Sequence, residues 1–364
     1  MLDHMPASIM RGVTLSNFAL FDAAELFVLL SGFLVGVVWL RVSEKEGERA
    51  AQKRFFRRSV QVWGALLVGS LLMAGLSALL LHAGLRHTAI WNEYARMIVE
   101  APLAYMVAVG SLWLQPNLLD VLALYVVLIA TVPLALPVLV RWPVIFFSGS
   151  LLIWWFADPL NGMLPNHRDK GGFLFNPFGW QLLFFIGAGI GVFRRWIMNN
   201  LRRWSWGLTV FSVIILSYGL VYDLSGRFGM ENVKDYMAVI IGPINKWSMD
   251  GARVISILAA SWVVASCLTG PLSRLADTAL GRGMAEIGRG GLLSFIACVL
   301  LSVMGDALQL MVSDEVRGWR MVIDVWAVLA LWCVATIWLR RDSLIYSTRY
   351  AILIKHTEFR RQKE

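Results

Sequence analysis

An Asp-His pair, Asp3-His4, stands just ahead of an apolar helix that begins with Asp22 and Glu25 and carries Ser31-Gly32 in its middle. Ionisable groups at the mouth of a hydrophobic span are costly and therefore point to function. An imidazole beside carboxylates is the usual general base near neutral pH. Asp22 and Glu25, three apart, share one helical face. Asp3 and His4 are adjacent and point apart if helical, so Asp22 or Glu25 is the expected orienting partner of His4. The same residue types serve proton-coupled transport, so catalysis and transport both stand at this point. His82, His87 and His167 fall at outer edges or in loops and His356 in the C-terminal tail, which leaves those four a solvated reading.

The elements that must position these groups follow from composition. Hydrophobic residues make up 58% of the 364 and charged ones 16%, more apolar surface than one soluble core hides, so the solvent is lipid. The net charge of +9 is spread between apolar runs rather than along one stripe, which argues against nucleic acid. Cys267, Cys298 and Cys333 lie in apolar runs without metal spacing and read as small core residues. No cleavable signal peptide is visible. The chain reads as an all-α polytopic membrane protein with nine spans, roughly 21–40, 59–82, 118–140, 143–157, 179–193, 204–222, 252–270, 291–312 and 321–339. Residues 98–114, interrupted by Glu100, Pro102 and Gly110, read as an interfacial or re-entrant segment. One multi-pass domain, 1–340, is followed by a basic cytoplasmic tail, 341–364.

Charge asymmetry orients these spans. With 41–58 inside, the inner segments hold Lys53, Arg54, Arg57, Arg58, Arg141, Arg194, Arg195, Arg202, Arg203, Arg274, Arg282 and Arg289, and the tail adds more. The C-terminus is then cytoplasmic and residues 1–20 lie outside. Nine spans with an outer N-terminus suggest a ten-helix architecture whose first helix is nearly all missing, with Met1–Met5 as its last residues. Trp154, Trp155, Trp180, Trp204 and Trp206, near span ends, read as an aromatic belt.

Four sets of polar residues then meet at the outer face. These are Asp3 and His4; Asp22 and Glu25; Gln115, Asn117 and Asp120; and Asn176 and Gln181. Helix capping accounts as well as function does for Asn117 and Asn176, but not for Glu25 and Gln181, which lie a turn or so inside apolar sequence. Mid-span charges and inverted repeats, the marks of a transporter, are not found.

The opening LDH, NFALFDAAELFVLLSGFLVG, QPNLLDVLALYVVL, FNPFGWQLLFFIGA and IGRGGLLSFIACVLLSVMGDAL, in order from residue 2 to about 310, resemble the OpgC family. The resemblance implies a membrane acyltransferase of the acyltransferase-3 group, with about ten helices. It implies transfer of succinyl or a similar acyl group from acyl-CoA, as donor substrate rather than resident cofactor, to a periplasmic glucan. The setting is the bacterial inner membrane. It makes His4 the general base with Asp3 beside it, and places Asp22, Glu25, Ser31 and Gly32 in a second-helix motif. Gln115, Asn117, Asp120, Asn176, Trp180, Gln181 and Arg289 match further family motifs, with substrate-binding roles. The family's first helix carries an Asp and an Arg-Gly pair upstream of Asp-His, and Gly290-Gly291 replace its usual polar residues. A glycan or acyl transporter and an inactive truncated relative are the competing readings.

Overall fold

Asp22 starts the first long helix, and Gly32 and Gly36 along it decide what packs against it. In the computed structural model a side chain at Gly32 would collide with the carbonyl of Phe184, and one at Gly36 with that of Ala188. Gly187 and Gly191 face the carbonyls of Leu29 and Phe33 in the same way. Two small-xxx-small pairs thus let α1 (Ala23–Glu46) and α8 (Pro177–Leu201) touch backbone to backbone, the usual route to helix association in lipid.

The structure describes residues 1–88, 90–167, 171–242, 244–313 and 316–361, with side chains as far as residue 341. Among them there is no strand. Between the first pair lie α2 (Glu48–His82), α3 (Glu93–Glu100), α4 (Pro102–Gly110), α5 (Asp120–Arg141), α6 (Pro143–Trp155) and α7 (Ala157–Gly162). After α8 come α9 (Ser205–Arg227), α10 (Glu231–Ile241), α11 (Gly251–Cys267), α12 (Thr269–Ala276), α13 (Ala279–Arg289), α14 (Gly291–Leu310) and α15 (Gly318–Arg361). Residues 1–17 form only short 3-10 turns. α2 packs on α5, α9 on α11, and α14 on α15 and α2.

Among the described residues six helical stretches are long and apolar enough to cross a membrane: Ala23–Glu46, Glu48–His82, Asp120–Arg141, Pro177–Arg227, Gly291–Leu310 and Gly318–Arg341. α11 with α12, bent by 78°, makes a seventh. All nine expected spans fall on helices, yet nine crossings do not follow. Those expected at 179–193 and 204–222 lie in one 51-residue stretch. The 13 residues of α6 rise about 20 Å against a hydrocarbon core of about 30 Å. The 98–114 region is two short helices, α3 and α4, broken at Ala101.

α5 contains Pro133 and Pro137. Pro137 has no N–H for the Pro133 carbonyl one turn back, and Gln52 of α2 donates to that carbonyl at 3.1 Å. A helix breaker is thereby made part of the α2–α5 contact.

The expected core cysteines are on the outside: Cys267 and Cys333 are exposed and Cys298 half-buried. They are small apolar residues on surfaces suited to lipid. Of the expected belt, Trp155, Trp204 and Trp206 are exposed, but Trp180 is fully buried and Trp154 donates to the Met249 carbonyl at 2.8 Å. These two lock a loop in place. The side chains of His356 and of the expected tail beyond residue 341 lie outside the described residues; the backbone of α15 continues helical to Arg361.

Candidate functional site

The N-terminus of α1 is a charged knot. Asp22 is its N-cap: Oδ1 accepts from Ala24 N at 2.8 Å, and Glu25 Oε2 accepts from Asp22 N at 3.0 Å, a capping box. Capping therefore does account for part of Glu25, against the sequence expectation. Its other oxygen, Oε1, accepts from Arg253 Nε at 2.6 Å and also from a terminal guanidinium nitrogen. Glu25 is fully buried and the Arg253 side chain is 11% exposed, so each charge is compensated where water is scarce. Asp22 Oδ2 faces Lys246 Nζ at 2.5 Å. Burial opposes ionising Asp22, but hydrogen bonding to Glu25 and the Lys246 ammonium outweigh it and hold the carboxyl down at about 2.

Lys246 is delivered by the segment between α10 and α11, and α8 holds that segment. Asn176 caps α8 through Phe178 N and Gly179 N, while its own N–H donates to the Trp247 carbonyl at 2.9 Å. Trp180 Nε1 donates to the same carbonyl at 3.1 Å. Asp158 Oδ1 accepts from both Ser248 and Asn176. A side chain at Gly179 would strike the Ser248 carbonyl, so only glycine lets the loop sit this close. The Lys246 ammonium lies over the Phe175 and Trp247 rings, 5.6 Å from each. Asn176 and Trp180 thus position Lys246. Met249, with φ +56°, shows the loop is held in a conformation that non-glycine residues rarely adopt.

His4 stands at the edge of this knot on a 3-10 turn, Leu2–His4, whose position is fixed from α14 and α15. Met5 is fully buried against Gly305. Asp324, fully buried, accepts from the backbone N–H of Ile9 and Met10 at 3.1 Å each, and Gln309 donates to its other oxygen at 2.6 Å. Asp3 accepts from Thr14 Oγ1 at 2.5 Å and Ser16 Oγ at 3.1 Å, which closes the 3–16 segment on itself. His4 is an exposed residue, although protein crowds its imidazole. That burial is the main cause pushing its pKa down to about 4; the ammonium of Met1 and then Lys246 also lower it, while Asp3 and Asp22 pull the other way. Among the described residues no side chain hydrogen-bonds the imidazole. Of the expected orienting carboxylates, Asp22 acts on it only through its field, and both Asp22 and Glu25 are engaged elsewhere.

The remaining sequence candidates divide by place. Gln115 is buried, donating to the Leu112 carbonyl at 2.8 Å, and its Oε1 has no partner among the described residues. Asn117 accepts from Trp91 N at 3.3 Å and donates through its backbone to Tyr94, and Asp120 is buried at the head of α5. That loop carries Leu112 and Leu118 at φ +61° and +71°. Gln181 bonds Ser150 side chain and backbone at 2.7 and 2.9 Å, beside a mainly apolar cavity between α5, α6 and α8. Ser31 and Tyr125 line a groove of about 750 Å³ between α1, α2 and α5. Lys53, Arg54, Arg57 and Arg58 line the other end of that groove. Arg289 ends α13, exposed, before α14. The contact of α14 with His4's turn begins at Ser302, about 20 Å further along the helix.

Sequence reasoning missed Lys246 and Arg253. A cation at the outer end of an apolar run, against the inner bias of its neighbours, was the available signal for Arg253. Two expectations are corrected. His87 is not solvated: it is 3% exposed, with Nε2 2.7 Å from Ser77 Oγ. Charges within spans do exist. Asp306 accepts from Thr88 N and Asp324 from Ile9 and Met10, so both serve loop backbone. Among the described residues no group of His, Cys, Asp and Glu is arranged to hold a metal ion.

No curated protein and no solved structure matches the chain. A family model described as OpgC protein matches residues 1–342, nearly the whole of it. The segments that build the knot at His4, Asp22 and Asn176 all lie inside the matched region, and the chain belongs to the OpgC family.

Proposed function

We propose that this protein is an O-acyltransferase that moves succinyl or a similar acyl group from acyl-CoA to a hydroxyl of a periplasmic glucan. The observation that carries the reading is that α1 joins two unlike sites. Its N-terminus carries Asp22, whose charge acts on the imidazole of His4, and its next turns wall the basic groove that runs from Ser31 to Arg57 and Arg58. Four cations suit the phosphates of coenzyme A, and the apolar stretch towards Tyr125 suits its pantetheine arm. Arg289, the cation expected for that role, lies elsewhere.

In this reading His4 accepts the proton of the sugar hydroxyl as its oxygen attacks the thioester carbonyl. Collapse of the tetrahedral adduct expels the thiolate, which takes the proton back. Lys246, held by Asp22, places positive charge where the carbonyl oxygen becomes an oxyanion. Gln115, Asn117 and Asp120 bind the acceptor glycan from the neighbouring loop. The polar end faces the periplasm of the inner membrane, residues 1–340 form the enzyme and the basic 341–364 segment lies in the cytoplasm. Cells expressing this chain should contain succinylated glucan by mass spectrometry, and cells without it should not; unmodified glucan in both would refute the activity.

A further inference from the structure

At the far end of the α1–α8 pair, away from His4, a second basic cavity of about 560 Å³ opens between the two helices. α1 contributes Arg41 and Glu44, and α8 contributes Arg194, Arg195 and Trp196. Val37 and Val192 supply an apolar wall. The helical path of α8 breaks at Phe193 (φ −98°, ψ 15°), immediately before the arginines, so the residues after it leave the axis that packs on α1. Trp196 is 67% exposed there, as an indole is at a membrane interface.

Among the described residues the arginines of this cavity have no ion-pair partner. Among the described residues no carboxylate pairs with Arg41, Arg194 or Arg195; Arg194 spends one N–H on the Gly191 carbonyl at 3.2 Å, and Glu44, though it lines the cavity, forms no ion pair. Three cations elsewhere do have acid partners: Arg141 meets Glu48 at 2.8 Å, Lys246 meets Asp22 and Arg253 meets Glu25. A general inward bias of basic residues accounts for arginines near this face, but not for three from two helices converging on one cavity with an apolar wall and an exposed indole. That combination fits an amphiphile with an anionic head and hydrocarbon tails.

We infer that this cavity binds the headgroup of an anionic phospholipid, with the phosphate among Arg41, Arg194 and Arg195 and an acyl chain along Val37 and Val192. The lipid would be a built-in brace at the end of the α1–α8 contact. The inference is independent of the acyl-transfer reading, and its test needs no turnover.

The full-length protein is reconstituted in nanodiscs of phosphatidylcholine containing a minor fraction of phosphatidylglycerol, and co-purifying lipid is counted by native mass spectrometry. Wild type should retain phosphatidylglycerol in preference to phosphatidylcholine. Arg41→Gln/Arg194→Gln/Arg195→Gln should weaken that retention by about fivefold per arginine, whereas Arg202→Gln/Arg203→Gln, outside the cavity, should keep it. Inorganic phosphate added in excess should not displace the lipid. A photoactivatable phosphatidylglycerol on the wild-type protein should label the 192–196 segment, which keeps the test decisive if the triple variant does not fold. Equal retention of the two lipids, unchanged retention in the triple variant, displacement by free phosphate, or labelling elsewhere would each overturn the assignment.

Discussion

Lys246 Nζ lies 2.5 Å from Asp22 Oδ2, a contact that ties the loop before α11 to the N-cap of α1 across 224 residues of sequence. One helical turn further in, Arg253 and Glu25 repeat the arrangement at a fully buried position. These two pairs fasten the start of α1 to the start of α11, and the field of the outer one reaches His4.

Breaking the inner pair should be costly. Arg253→Met leaves Glu25 buried without its cation, a change worth about 3–5 kcal/mol when a buried pair loses one partner. Glu25→Gln/Arg253→Met should lose less than the two single variants summed, because they remove the same interaction. Thermal unfolding of the purified variants, arranged as a double-mutant cycle, checks both statements; additive losses would mean the pair is not coupled.

The glycine contact predicts an unusually severe effect from a small change. Gly32→Ala puts a methyl group into the Phe184 carbonyl, and neither backbone can give way without moving a helix. Overpacking of this kind typically costs about 1–3 kcal/mol. Gly64→Ala, inside α2 where a side chain meets open space, serves as the control and should be neutral to mildly stabilising in the same melting measurement.

Asp324 holds the N-terminal segment by accepting two backbone N–H bonds. Hydrogen bonds to a charged group are each worth about 1.5–3 kcal/mol, so Asp324→Ala should release residues 5–13 without unfolding the helices. Hydrogen exchange should rise in that segment while α1 and α8 stay protected. Unchanged exchange there would show that Met5 alone anchors the turn.

Acidity offers a separate check on His4. Its pKa is lowered from 6.5 to about 4, mainly by burial, so the imidazole is neutral and able to accept a proton throughout the range above 5. Acyl transfer should therefore hold its rate between pH 7 and 5 and fall only as pH approaches about 4. Removing the nearby positive charge with Lys246→Met should move that acid limb upward, towards the ordinary histidine value. A limb near 6.5 in the wild type would contradict the environment described for His4.

Much of this was legible in the sequence, and for physical reasons. The helices declare themselves through apolar runs, and Asp22, Glu25 and His4 stand out because charge at a span's mouth is expensive. Asn176 shows its cap through the Asn-Pro pair. What the sequence did not disclose is long-range partnership. Nothing local to Lys246 or Arg253 names Asp22 or Glu25, which lie more than 220 residues earlier. His87 looked like a loop histidine because burial by α2 is a tertiary fact. Trp180 looked interfacial because its indole partner, the Trp247 carbonyl, is supplied from 67 residues away. The basic groove was hidden for the same reason: it takes three helices to assemble.

The proposed role of His4 as the base of acyl transfer has a direct readout. Purified wild type and His4→Ala, given the acyl-CoA donor and a glucan acceptor, should differ in turnover by about 10²–10⁴-fold, the usual contribution of general-base catalysis, while their melting temperatures stay close. Near-normal acylation by the folded His4→Ala protein would contradict the account.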